Sequence, residues 1–177
     1  MIFLGPSNFP VTGQSHSFHT TFKIFNGNKK KICYPSKNTK HFALKTTWFF
    51  LRLIYHSFSN SFNFYLTISR SRGGFYRDLI IFCISQVLNR RLIVHLHGAD
   101  FNLFYSSASR IDKYFINLMY RRIKFGIVLV DEMKDQFKDF PNIATYVLPN
   151  FHLIDIPLQE IYAKADKFQH TDLLRCL

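Results

Sequence analysis

Six short apolar runs alternate with helix-compatible stretches along this chain of 177 residues. The runs are Ile2-Phe3-Leu4, Ile32-Cys33-Tyr34, Phe64 to Ile68, Leu92 to Leu96, Phe125 to Val130 and Ala144 to Leu148. Turn formers punctuate them: Gly5-Pro6 stops the first, Pro35 the second and Pro149-Asn150 the last. Between them, Ser15 to Phe25, Lys40 to Phe58, Phe75 to Leu88 and Arg110 to Lys124 carry helical spacing. Asp131 is placed to N-cap a short helix through Phe137, and Phe101 to Ser109 reads as irregular. This alternation predicts an α/β fold with a doubly wound, mostly parallel sheet. The apolar faces are expected to be Phe75, Leu79, Phe82, Ile84 and Val87 on one helix, and Ile111, Tyr114, Phe115, Leu118 and Ile123 on another.

Such a sheet has chemistry at one edge only, because ligands sit outside the carboxyl ends of parallel strands. The run Leu92 to Leu96 delivers His95, His97, Gly98, Asp100 and Phe101 to that edge. His95 is expected to face away from His97 and to pack in the core. Two glycine-bearing loops should open at the same edge. One is Gly5 to Gly13, where Gly13 precedes a helix. The other is Ser69-Arg70-Ser71-Arg72-Gly73-Gly74, a basic loop entering a helix. Free backbone N–H groups at a helix start suit an anion. Neither loop has the spacing of a dinucleotide fingerprint or the Lys-Ser/Thr of a P-loop.

Charge is unevenly placed. Residues 1–91 hold 13 of the 23 Lys and Arg but a single acid, Asp78, so the whole net charge of +12 resides there. An anionic partner follows: nucleic acid, an acidic membrane surface or a phosphate-bearing substrate. Lys45 and Arg52 interleave with Phe42, Trp48, Phe49 and Tyr55 along one expected helix. That helix has two readings, a core helix whose cations reach outward and a helix lying in a lipid headgroup layer. Cys33, Cys83 and Cys176 are far apart and form no metal or disulfide framework. No apolar run reaches the roughly 18 residues of a membrane span, and the N-terminus lacks the basic start of a signal peptide. A cytoplasmic location is expected, with peripheral binding to the inner face of the cell membrane as its extension.

Four segments in order resemble the N-terminal half of a family 4 glycosyltransferase of the GT-B fold. Gly5-Pro6 with Val11-Thr12-Gly13-Gln14-Ser15 is similar to that family's first loop. Tyr65 to Ser69 with Gly73-Gly74-Phe75-Tyr76-Arg77-Asp78 is similar to its third strand and the helix start after it. His95-Leu96-His97-Gly98-Ala99-Asp100-Phe101 is similar to its HG segment. Ile127 to Val130 with Leu148-Pro149-Asn150 resembles the strand and "PN" turn that end the domain.

The resemblance covers residues 1–152 and implies a Rossmann-like acceptor-side domain facing a second domain that binds a nucleotide sugar, a retaining reaction, and neither metal nor cofactor. Gly13 would approach the donor diphosphate, and His97 would be catalytic, beside the transferred sugar. Gly98 and Asp100 would contribute to substrate binding, and Asn150 would mark the interdomain linker. Arg70, Arg72, Arg77, Lys45 and Arg52 would meet a lipid-linked or saccharide acceptor or anionic lipid. The product would be a surface polysaccharide. Nothing after Asn150 resembles the donor domain, so residues 153–177 are expected to be a linker and the cut-off start of that domain, with the fragment inactive alone. The alternative is a non-catalytic basic α/β module that binds acidic membrane or nucleic acid. No nucleic-acid motif favours the latter, and nucleic acid is not the expected partner.

Overall fold

The computed structural model describes residues 1–8, 11–35, 39–59 and 63–149. Its strands are β1 (Ile2–Gly5), β2 (Lys30–Cys33), β3 (Phe64–Thr67), β4 (Leu92–His95), β5 (Phe125–Val128) and β6 (Ala144–Val147). All neighbours pair in parallel, in the order β2-β1-β3-β4-β5-β6. Parallel neighbours need crossovers, and helices supply them: α1 (Gly13–Ile24), α2 (Phe42–Ser59), α3 (Arg72–Val87), α4 (Phe101–Ser107) and α5 (Arg110–Tyr120). A 3-10 helix, Asp131–Phe137, joins β5 to β6. The expected α/β, doubly wound, Rossmann-like sheet is therefore present. Asn150 and residues 153–177 lie outside the described residues.

The order of the strands reverses once. The chain steps from β1 outward to β2, then crosses back over β1 to β3 and continues in that direction. Right-handed crossovers then put α1 on one face and the later helices on the other. Side-chain packing follows that division. Ile2, Leu4, Leu66, Val94 and Val128 meet Phe49 and Leu53 of α2, Phe75 and Phe82 of α3, and Ile116 and Met119 of α5 in one large core. Phe3 and Tyr65 meet Phe18 of α1 on the other face, with Ile93 and Ile127 half-covered beside them. Each fully buried Leu or Phe contributes about 1.5–3 kcal/mol relative to exposure, so the larger cluster dominates the fold's stability.

Three expectations change. Residues 101–107 are helical rather than irregular. Phe101 is buried against Tyr120 and Phe137 with ring centroids 4.9 and 5.6 Å away, and Asn102 ties its turn to the Asp135 carbonyl at 3.0 Å. Those partners are remote in sequence, so a local reading sees only Ser and Tyr. Asp131 does not N-cap its helix. Val130 holds that position, the turns are 3-10, and Asp131 pairs with Lys134 at 2.8 Å. The two helix faces hold only in part: Phe75, Leu79, Phe82, Ile84, Phe115 and Ile123 lie in or against the core, and the rest do not. In α3 Val87 is exposed, and Asp78 turns inward beside Phe75, Ile81 and Phe82. In α5 Ile111 and Tyr114 are exposed while Asp112, Ile116, Met119 and Tyr120 are buried. In each case a buried carboxylate with hydrogen-bond partners claims the inner face.

Candidate functional site at the strand-order reversal

The reversal between β1 and β3 leaves a crevice beyond their carboxyl ends, where neighbouring loops leave in opposite directions. A cavity of about 360 Å³ sits there, lined by Pro6, Gln14, Tyr34, Ile68, Ser69, Arg70, Ser71, Arg77 and Asp100. It gathers the first loop, the end of β2, the basic loop and the segment after β4.

Its floor is a closed set of polar contacts. The Tyr34 hydroxyl shares its proton between the Leu4 and Thr67 carbonyls, 3.0 Å from each, and so bridges β1 and β3 at their ends. The Arg77 guanidinium lies over the Tyr34 ring at 3.5 Å. It also donates twice to Asp78 Oδ1, at 2.9 and 2.6 Å, while Asp78 Oδ2 accepts from the Ser69 N–H at 2.7 Å. Burial pushes the Asp78 carboxyl up, and the Arg77 charge and the Ser69 N–H pull it back. One cation is thereby fixed in orientation at the cavity wall.

The second cation closes the opposite side. Arg70 pairs with Asp100, and its guanidinium lies against Gly98. A Cβ at Gly98 would overlap that guanidinium as it lies, so the flexible Arg70 side chain would have to shift. Asp100 precedes α4 but makes no side-chain cap there.

His97 adjoins this pair. Burial and the Arg70 charge lower its pKa to about 4, so it is a neutral imidazole at neutral pH. His95 is buried as expected, but it does not face away from His97. Side chains two apart on a strand share a face, and the rings stack with centroids 3.9 Å apart and planes tilted by 35°. Burial, with a smaller push from His97, holds His95 down at about 2. The Tyr65 hydroxyl and His95 Nδ1 hydrogen-bond to each other. His95 Nε2 and both His97 ring nitrogens have no partner among the described residues. Buried polar atoms normally find one. Neither histidine lines the cavity, but His97 lies close enough to Arg70 to feel its charge.

Gly13 is the first residue of α1. Thr12 caps the helix through a reciprocal pair, Ser15 N–H to Thr12 Oγ1 at 3.1 Å and Thr12 N–H to Ser15 Oγ at 2.8 Å. The N–H groups of Gly13 and Gln14 have no acceptor inside the helix by its geometry, and a Cβ at Gly13 would meet nothing within 4 Å. The neighbouring protein therefore does not demand a glycine there.

The remaining candidates go elsewhere. Arg72 pairs with Asp112 at 3.1 Å and ties α3 to α5. Tyr76 and Ser109 donate to the same carboxylate at 2.5 and 2.8 Å and hold it below the ordinary carboxylate range. Lys45 and Arg52 are exposed on α2, outside the cavity. Gln14, Ser69 and Tyr34 line it without having been singled out. The signal for Tyr34 was its place as the last residue before Pro35, at a strand's carboxyl end. Among the described residues there is no cluster of three or more His, Cys, Asp or Glu that could hold a metal. An anion or a hydroxyl-rich ligand matches the side chains present: two guanidinium groups, helix-start N–H groups and neutral imidazoles.

Compared with known protein families, curated proteins and solved structures, the chain matches none.

Proposed function

We propose that residues 1–149 form the acceptor-side domain of a glycosyltransferase, which moves a sugar from a nucleotide-sugar donor to a lipid-linked or saccharide acceptor during surface polysaccharide synthesis. The observation that carries this reading is Arg70, Arg77 and Asp100 lining one cavity at the strand-order reversal, with the unpartnered His97 buried behind it near the Arg70 charge. In such a transfer the bond from the anomeric carbon to the donor's diphosphate oxygen breaks, and a bond to an acceptor oxygen forms. The acceptor hydroxyl gives up its proton, and the diphosphate leaves with the negative charge.

The chain's own groups suit those demands. Arg70 and Arg77 supply fixed positive charge for a diphosphate, either the acceptor's or the departing one. The Gly13 and Gln14 N–H groups add dipoles without requiring rearrangement. His97, held neutral, can accept a hydrogen bond from a sugar hydroxyl or donate one, which an imidazolium could do only as a donor. Asp100 restrains Arg70 and can take a second hydroxyl. The reading is metal-independent and retaining by resemblance to the family.

Equilibrium binding of a short-chain prenyl diphosphate sugar, followed by amide shifts in NMR spectra, tests it. Shifts should cluster at Gly13, Arg70, Gly98 and Arg77. Arg70→Ala should weaken binding by about 10- to 100-fold, the worth of a charge-assisted hydrogen bond. His97→Ala should abolish sugar transfer in the active enzyme while circular dichroism stays unchanged. Shifts confined to other faces, or unaltered turnover in His97→Ala, would sink the assignment.

A further inference from the structure

α2 meets the core along one side only, through Phe49, Leu53 and Ser57. Its opposite side carries Leu44, Trp48, Leu51, Tyr55 and Phe58, each between 53% and 72% exposed. Spacings of three and four residues place these five in one stripe along the helix. Apolar side chains scattered singly over a surface are ordinary, but a contiguous stripe marks a contact. Lys45 and Arg52 stand exposed on the same helix, and Lys30 Nζ lies 3.4 Å from His56 Nδ1 on its flank. Residues 1–91 hold no exposed carboxylate to offset them. Asp78 is the single acid of residues 1–91, and it is buried against Arg77.

We infer that α2 docks on an anionic lipid bilayer, with the stripe in the headgroup–acyl boundary and Lys45 and Arg52 on lipid phosphates. Among the described residues no helix is long and apolar enough to cross a membrane, so α2 lies along the surface. Trp48 and Tyr55 pair an apolar ring with a polar tip, which suits that depth. A second copy docked on the same stripe would bring cation against cation. A nucleic acid would satisfy the cations and leave the stripe in water. Phe49, on the buried side, packs its ring on Tyr34 at 5.6 Å, and Tyr34 lines the cavity. The docked helix and the cavity therefore share a wall. The inference uses side chains that the cavity does not, and it stands without the transferase reading.

Trp48 is the sole tryptophan of the chain, so its emission reports this contact. On phosphatidylcholine–phosphatidylglycerol vesicles the protein should co-sediment and its emission should shift to the blue. Binding to phosphatidylcholine alone should be weaker. Lys45→Gln and Arg52→Gln should each lower partitioning about fivefold. Leu51→Ser combined with Phe58→Ser should lower it about tenfold or more with an unchanged melting temperature, since neither side chain is in the core. Absence of co-sedimentation with the anionic vesicles, equal binding to the neutral ones, or full binding by the Leu51→Ser/Phe58→Ser protein would each overturn the inference. So would a concentration-dependent blue shift without lipid, which would give the stripe to a second copy, or one with an oligonucleotide, which would give it to nucleic acid. Binding of a soluble prenyl diphosphate sugar without vesicles tests the cavity separately, so the two readings fail independently.

Discussion

At the residue scale, the histidine pair makes stability depend on pH. Both folded-state values lie below the ordinary imidazole value of about 6.5. The unfolded chain therefore takes up protons first as pH falls. The contribution is complete above about pH 6.5 and declines below it, until His97 titrates at about 4 and His95 at about 2. Each ring should cost up to about 1.4 kcal/mol per pH unit in that window. Urea midpoints measured across it should fall steadily, and His97→Phe should flatten the slope. A midpoint independent of pH between neutrality and about 4.5 would contradict this account. The glycines offer a second contrast. A Cβ on Gly5 would overlap the Phe18 ring, so Gly5→Ala should destabilise by about 1–3 kcal/mol. Gly13→Ala sits in open space at a helix start and should change stability by less than about 1 kcal/mol. In the proposed site it should weaken ligand binding instead. Denaturation curves and a binding titration of both variants separate the two effects. Gly13, Gly98, His97 and the arginines stood out in the sequence as candidates, and His95 as a core residue. That Arg70 closes against Gly98 did not, because only the folded loops bring them together.

At the element scale, the strands were legible to within a residue or two, because each apolar run is short and ends in a turn former. The helices existed where periodicity placed them, but their orientation was less readable. Asp78 and Asp112 turn inward since Ser69, Arg77, Tyr76 and Ser109 satisfy them, and no spacing rule anticipates a buried carboxylate. α2 shows the opposite failure: apolar on two sides, it commits only one of them to the core. Leu53→Ala should therefore cost about 2–5 kcal/mol, while Leu51→Ser should be nearly neutral by the same thermal melt. Equal losses would mean that the outer stripe is covered. Tyr34→Phe removes the proton that ties β1 to β3 and leaves two buried carbonyls short of a donor. A loss of about 1–3 kcal/mol is expected from denaturant titration.

At the scale of the whole molecule, protection should follow the sheet from its middle outward. Amides of β1, β3 and β4 are paired on both sides and buried, whereas β6 is paired on one side and largely exposed. Native-state hydrogen exchange should find the slowest amides at Leu4, Leu66 and Val94, and the fastest strand amides in β6. The alternation of apolar runs with helical stretches by itself determined the parallel α/β architecture, since parallel strands cannot be joined any other way within one short chain. The sequence likewise determined the cationic first half, and the carboxyl edge of the sheet as the region where the candidate residues gather. Which strands flank the reversal, and hence which loops meet, was decided only by the tertiary structure. Strand order is set by which faces bury against which helices, and that sum runs over contacts far apart in the chain. The same packing stacked His95 on His97, closed Arg70 over Gly98 and left one side of α2 exposed among the described residues. Each depends on distance in space, which a linear spacing does not carry.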